Sequence, residues 1–301
     1  MDLTPPIRTQ RPKKFVQPEI LLTLSAGSVV PLLAAKDPRL TSVYDIPQFA
    51  ATDLQLRGLN LPTSLLTGFG VPEIEKLRDQ ADRAGCPILL LIEDTPIDFT
   101  DRAAAWTKSL DRLGRLGIAA SRLGCPSVAV RVAAPDTDEA FEATTLGVKV
   151  ALKALDRHEI NLLLSPHAGL TFNPSRLTDL IKKIGGFRIG SYPSFAHAFA
   201  TGDIEKTLRK LAPYGSSMSA SVRGFDKDGI HDGYLLETCV DAIRSVGYAN
   251  TLALDFVGLG TTTGKKRKPD VIAELDMART ILEAKTLEEE VGLLGDLEGE
   301  D

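Results

Sequence analysis

From residue 19 onward, short apolar runs alternate with longer stretches whose apolar positions recur at helical spacing. The first kind reads as strands covered on both faces, the second as amphipathic helices. The strand-like runs lie at 19–25, 59–64, 87–92, 127–132, 160–164, 187–190, 217–222 and 251–256. Between and after them, the spacing predicts helices over about 45–58, 72–84, 101–123, 137–157, 173–184, 203–212, 233–246 and 269–284. Local chemistry supports the boundaries. Asp45, Thr137, Asn173 and Asp203 can accept hydrogen bonds at helix starts, Pro47 and Pro174 suit a first turn, and Gly85 and Gly124 follow helix ends. Eight strand–helix units in strict order predict an α/β fold, a (β/α)8 TIM barrel closed by right-handed crossovers. An open doubly wound sheet would usually carry a G-x-G-x-x-G turn after the first strand, and residues 25–30 read SAGSVV instead.

Composition sets the limits. The chain has 301 residues, 43% hydrophobic and 25% charged, ordinary values for a globular protein. The expected organisation is a single barrel domain over 19–285, a basic N-terminal arm over 1–18 and an acidic tail over 286–301. The arm carries Arg8, Arg11, Lys13 and Lys14 among prolines, and the tail carries Glu288, Glu289, Glu290, Asp296, Glu298, Glu300 and Asp301. A net charge of −5 gives no general pull toward nucleic acid or anionic membrane. No run approaches the ~20 apolar residues of a membrane span, and no signal-peptide core is visible, so the expectation is a cytoplasmic protein. Cys86, Cys125 and Cys239 are odd in number and widely spaced, which argues against a disulfide framework.

The segments SRLGCPSVAVRV, HEINLLLSPHAGLTFNPSRLTDLIKKI, FRIGSYPSFAHAFATGD and GYANTLALDFVG resemble corresponding pieces of the xylose isomerase-like barrels, the sugar phosphate isomerase/epimerase superfamily. The resemblance spans roughly residues 85–258. It implies a divalent metal held by a Glu ending strand five, an Asp ending strand six, a His on strand seven and a Glu ending strand eight. By position these fall on Ser165, Ser194, Ser221 and Asp255. One carboxylate and three hydroxyls are a poor exchange for the hydration of a hard cation, so no tightly bound metal and no other cofactor is expected. His167 and His197 remain nearby, and with Asp255 could form a substitute set if their loops converge.

Asp255, flanked by Leu254 and Phe256, is the candidate catalytic residue, a general base or a sugar-hydroxyl acceptor. Arg131, His167, His197 and Arg223 are candidate substrate-binding residues. An arginine in the apolar 127–132 strand must face a pocket or a carboxylate, and Asp255, Glu93 and Asp226 are alternative partners for the two arginines. The Gly/Thr run 258–264 and the basic residues Lys265 to Lys268 could hold a phosphate or form an exposed loop. The resemblance implies an isomerase or epimerase acting on a sugar or sugar phosphate. The lost ligands leave open a non-catalytic barrel that binds carbohydrate or protein. A homodimer is compatible with either. A repair endonuclease fits poorly, since such sites need many histidine and carboxylate ligands and this chain has 4 histidines.

Overall fold

Each apolar run becomes a parallel strand: β1 (Leu21–Ser25), β2 (Leu59–Pro62), β3 (Ile88–Ile92), β4 (Ser127–Arg131), β5 (Asn161–Ser165), β6 (Ile189–Ser191), β7 (Ser217–Val222) and β8 (Thr251–Phe256). The computed structural model describes residues 20–100, 104–258 and 270–295. The strands lie in the order β6-β5-β4-β3-β2-β1-β8-β7, so each pairs with a chain neighbour and β1 pairs with β8. β6 and β7 meet only through the isolated parallel bridges Ser191↔Gly215 and Ser194↔Ser219, where the Ser219 N–H donates to the Pro193 carbonyl at 2.9 Å. The result is a (β/α)8 barrel whose weakest pairing is at the β6–β7 seam.

The helices are α1 (Val30–Ala34), α2 (Ile46–Thr52), α3 (Val71–Arg83), α4 (Ala104–Leu123), α5 (Asp138–Asp156), α6 (Pro174–Ile184), α7 (Phe195–Ala200), α8 (Ile204–Leu211), α9 (Leu236–Arg244) and α10 (Val271–Gly295). Side-chain caps start five of them, Asp270 at α10 accepting from the Ala273 N–H at 3.2 Å. Thr137 accepts from the Ala140 N–H at 3.2 Å, Asn173 from Ser175 at 2.9 Å, Ser194 from His197 at 3.1 Å and Asp203 from Lys206 at 3.1 Å. These bonds occupy donors that a helix N-terminus otherwise leaves unsatisfied. Strand residues such as Leu59, Val128 and Leu164 pack outward against helical residues such as Leu77, Val148 and Leu180 in one large core. Alternate strand positions face the axis, where Leu90, Ala129, Leu163 and Tyr192 form a second cluster flanked by Ile92.

Five elements depart from expectation, the first being α1, since no helix was expected before residue 45. The helix expected over 45–58 is α2 alone, ending at Thr52. Asp45 spends its carboxylate on the Thr41 and Ser42 N–H groups, and Gln55, at φ +55°, turns the chain out of the helix so that Leu54 and Leu56 on either side of it are buried. β6 starts at Ile189 rather than Phe187, which is 89% exposed. Gly185 and Gly186, both at positive φ, turn the chain there, and the edge is reached only afterward. α7, starting at the Ser194 cap, was not expected. α10 continues to Gly295, into the segment read as an acidic tail. The basic arm 1–18, a helix start at Asp101, the loop 259–269 with Lys265 to Lys268, and residues 296–301 lie outside the described residues.

Candidate functional site

Arg131 is the last residue of β4 and pairs across the ladder with Ser165, the last of β5. Ala129 and Leu163, two positions earlier on the same strands, belong to the axial cluster. Side chains alternate along a strand, so Arg131 and Ser165 point into the C-terminal mouth of the barrel, where such folds carry their chemistry. Ser221 of β7 and Asp255 of β8 pair in the same way on the other side.

This second side is a wall of hydrogen-bonding groups. Ser219 Oγ donates to Asp255 Oδ2 at 3.1 Å and lies 3.2 Å from Ser221 Oγ. Below them, Asn60 Nδ2 donates to Tyr192 Oη at 3.3 Å and to Ser217 Oγ at 3.2 Å. Asp255 keeps some contact with the mouth, yet the surrounding protein is dense enough that burial pushes its carboxyl above the usual carboxylate range. The hydroxyls of Ser25, Ser219 and Ser28 act in the opposite direction, favouring the ionised form. Burial, and then the nearby Asp255 charge, also push the Tyr192 phenol upward, so it stays protonated as a donor.

The donor set does not fit a divalent cation. Ser194 Oγ is spent on the first turn of α7, and Ser221 Oγ accepts from the Ala196 N–H at 3.3 Å. Two of the four positions that the resemblance assigns to metal ligands therefore hold the start of a helix instead. Among the described residues, no three His, Cys, Asp or Glu side chains gather where they could share an ion. The His167–His197–Asp255 set does not form. His197 Nε2 donates to the Phe172 carbonyl at 2.8 Å, and its ring meets the Phe172 ring edge-on at 5.2 Å. Its Nδ1 is buried without a hydrogen-bond partner. Burial holds the His197 pKa below the ordinary imidazole value.

The two arginines do not take the alternative carboxylate partners. The Arg131 guanidinium has no ion pair or hydrogen bond among the described residues. Glu93 is buried and pairs with Arg112 of α4, and Asp226 accepts from the backbone of Asp228 and Ile230, each at 2.9 Å. Arg223 lies over the Phe199 ring, 5.2 Å from its centroid, and its backbone N–H donates to His231 Nε2 at 2.9 Å. His167 follows β5 closely, and its pKa is lowered, first by burial and then by the charge of Arg131. The loop carrying His167 is fastened to the β4 loop at Gly169. That residue has φ +90°, and a Cβ there would lie 2.2 Å from the Ala134 carbonyl oxygen.

Sequence reasoning passed over Asn60, Tyr192, Ser219 and His231. The alternation of Ser217, Ser219 and Ser221 within β7 carries the signal for one of them, since all three must share a face. His231 carries no such signal. Its Nδ1 donates to the Tyr234 carbonyl at 2.9 Å, and burial keeps it neutral, a brace for the β7 loop. The three cysteines are buried and unbridged, their thiols pushed up to about 12 by burial. A separate cleft of about 530 Å³ opens outside the axis between the turn after β2 and α4, lined in part by Ser64, Phe69, Arg112 and Arg115. It too was not expected.

No protein-family model matches the chain, and no curated protein matches it. Solved structures do. An L-ribulose 3-epimerase superposes with a TM-score of 0.69 at 14% identity, covering 92% of this chain and 98% of its own. A D-psicose 3-epimerase solved in the presence of D-fructose gives 0.66 at 14% identity, covering 82% and 93%. A xylose isomerase domain protein from Planctomyces limnophilus gives 0.61 at 14% identity, covering 79% and 90%. At this identity the likeness speaks to architecture. The chain has the fold of the xylose isomerase-like TIM barrels.

Proposed function

We propose that the barrel mouth binds a small polyhydroxylated ligand, a sugar or a close relative, without a tightly held divalent cation. The observation that carries this is the Ser221–Ser219–Asp255 chain. It presents one carboxylate among neutral hydroxyls, an arrangement suited to hydrogen-bonding sugar hydroxyls and unsuited to offsetting the desolvation of a metal ion. The sugar epimerases of the same fold support the ligand class.

Isomerase- or epimerase-type chemistry at this site would fall to Asp255. Its raised pKa makes its carboxylate a stronger base than an exposed one, suited to taking a proton from a carbon beside a carbonyl. Ser219 would hold the acid as the proton moves. Arg131 and His167 would orient the ligand from the opposite strands, Arg223 from the loop after β7, and His197 would brace the loop after β6 through the Phe172 carbonyl. Without proton transfer, the same groups make a carbohydrate-binding barrel.

Thermal melting in the presence of a chelator tests the reading. A panel of aldoses and ketoses should contain at least one that raises the melting temperature, and Asp255→Asn should abolish the rise. Deuterium uptake into that sugar from heavy water would separate catalysis from binding. A panel that shifts nothing, or shifts only after a divalent cation is added, contradicts the proposal.

A further inference from the structure

Arg131 is the unexplained charge of the site. It ends an otherwise buried strand, points into the mouth, and has no counter-ion among the described residues. A guanidinium placed there is partly desolvated, and such groups are normally paired. A neighbour that feels its charge, His167, is another basic group. Ser165 sits beside Arg131 across the ladder, and His167 follows Ser165 by two positions. Adjacent strands lie about 4.8 Å apart, which sets both side chains on the same part of the rim.

The position of His167 is fixed rather than incidental. Its backbone N–H donates to Thr171 Oγ1 at 3.1 Å, and the Leu170 N–H donates to the Ala134 carbonyl at 2.9 Å. The close approach of Gly169 to that same carbonyl locks the β5 loop onto the β4 loop. Two elements are thus tied together beside an unpaired guanidinium, and the imidazole of His167 makes no hydrogen bond among the described residues. Across the mouth, on β7 and β8, stand Asp255 and the serine hydroxyls. The interior cluster of Leu90, Ala129 and Leu163 separates the two polar groups at the floor.

We infer that the ligand of this site is an anionic polyol, whose phosphate or carboxylate is held by Arg131 and His167 while its hydroxyls face Asp255 and Ser219. This rests on the carbohydrate reading above and narrows it. A planar guanidinium matches the paired oxygens of either anion, and a histidine beside it supplies a further donor. A ligand charge at this place completes the pairing that the fold leaves open. Asp255 on the far wall repels a second anionic group, so one charged end and one hydroxylated end are expected.

Calorimetric titration of the full chain at low ionic strength, with chelator present, tests the inference. The probes are a neutral hexose, the same hexose as its 6-phosphate, the corresponding aldonate and inorganic phosphate. The expected result is that at least one charged sugar binds about tenfold or more tightly than the neutral one. Arg131→Gln should close that gap, and Arg131→Lys should retain part of it. Preference for the phosphate or for the aldonate identifies the anion. Circular dichroism and melting of both variants establish that they fold. Charged sugars that bind no better than the neutral hexose, or a gap that survives Arg131→Gln, overturn the inference and leave the carbohydrate site standing. Failure of every sugar, neutral or charged, overturns the site itself.

Discussion

Asp255 is a carboxyl that the fold would rather keep neutral. Its raised pKa means that the unfolded chain gives up this proton first as pH rises past about 3.9. Ionised Asp255 therefore lowers stability at neutral pH, and Asp255→Asn removes that penalty. The melting temperature of the variant should match wild type near pH 3.5, exceed it from about pH 4 upward, and hold a constant lead once Asp255 is ionised in the folded state too. A wild type that is the more stable of the two at pH 7 would mean that the serine hydroxyls outweigh burial. Gly169 offers a second residue-scale test. With φ +90° and a Cβ position 2.2 Å from the Ala134 carbonyl oxygen, Gly169→Ala should lose roughly 1–3 kcal/mol in denaturant unfolding. The sequence made Asp255 and Arg131 legible because each is a charge in an apolar strand, which needs a reason. It hid Tyr192 and Asn60, because nothing local tells a barrel-facing polar residue from a solvent-facing one.

The elements were legible where periodicity and caps agree. β7 and β8 fall where alternation places them, and α5 and α6 start on Thr137 and Asn173. Asn173→Ala should cost about 1 kcal/mol, read as a lower denaturation midpoint with an unchanged slope. Elements shorter than two turns escaped, as α7 did, since so few residues display no period. α7 is held instead by its Ser194 cap and by one tertiary bond, from the Ala196 N–H to Ser221 Oγ. The β7 loop is held by His231, which accepts from Arg223 and donates to Tyr234. That pattern needs the neutral ring, and burial lowers its pKa accordingly. Its contribution is complete above the free imidazole pKa of about 6.5 and is lost as pH falls below it, because the unfolded chain then binds the extra proton. His231→Ala should lose about 2–3 kcal/mol at pH 7.5 and noticeably less at pH 5.5.

At the scale of the molecule, the barrel interior is divided. β3, β4 and β5 present Leu90, Ala129 and Leu163, while β2, β7 and β8 present Asn60, Ser219 and Asp255. This division was only half legible. The eight-fold alternation announced the barrel, and the seam at β6–β7 depends on backbone bridges that no side-chain pattern encodes. Among the described residues no cage of anionic and imidazole ligands gathers in the interior, and two of the relevant hydroxyls are committed to the start of α7. The most direct test is calorimetric titration of chelator-treated protein with Mn²⁺ at pH 7.5, paired with melting in 1 mM Mn²⁺. The account predicts no saturable site of micromolar affinity and no shift in melting. A site with Kd near 10 μM would instead stabilise the fold by about 2.7 kcal/mol, and such a shift, lost in Asp255→Asn, would contradict the account.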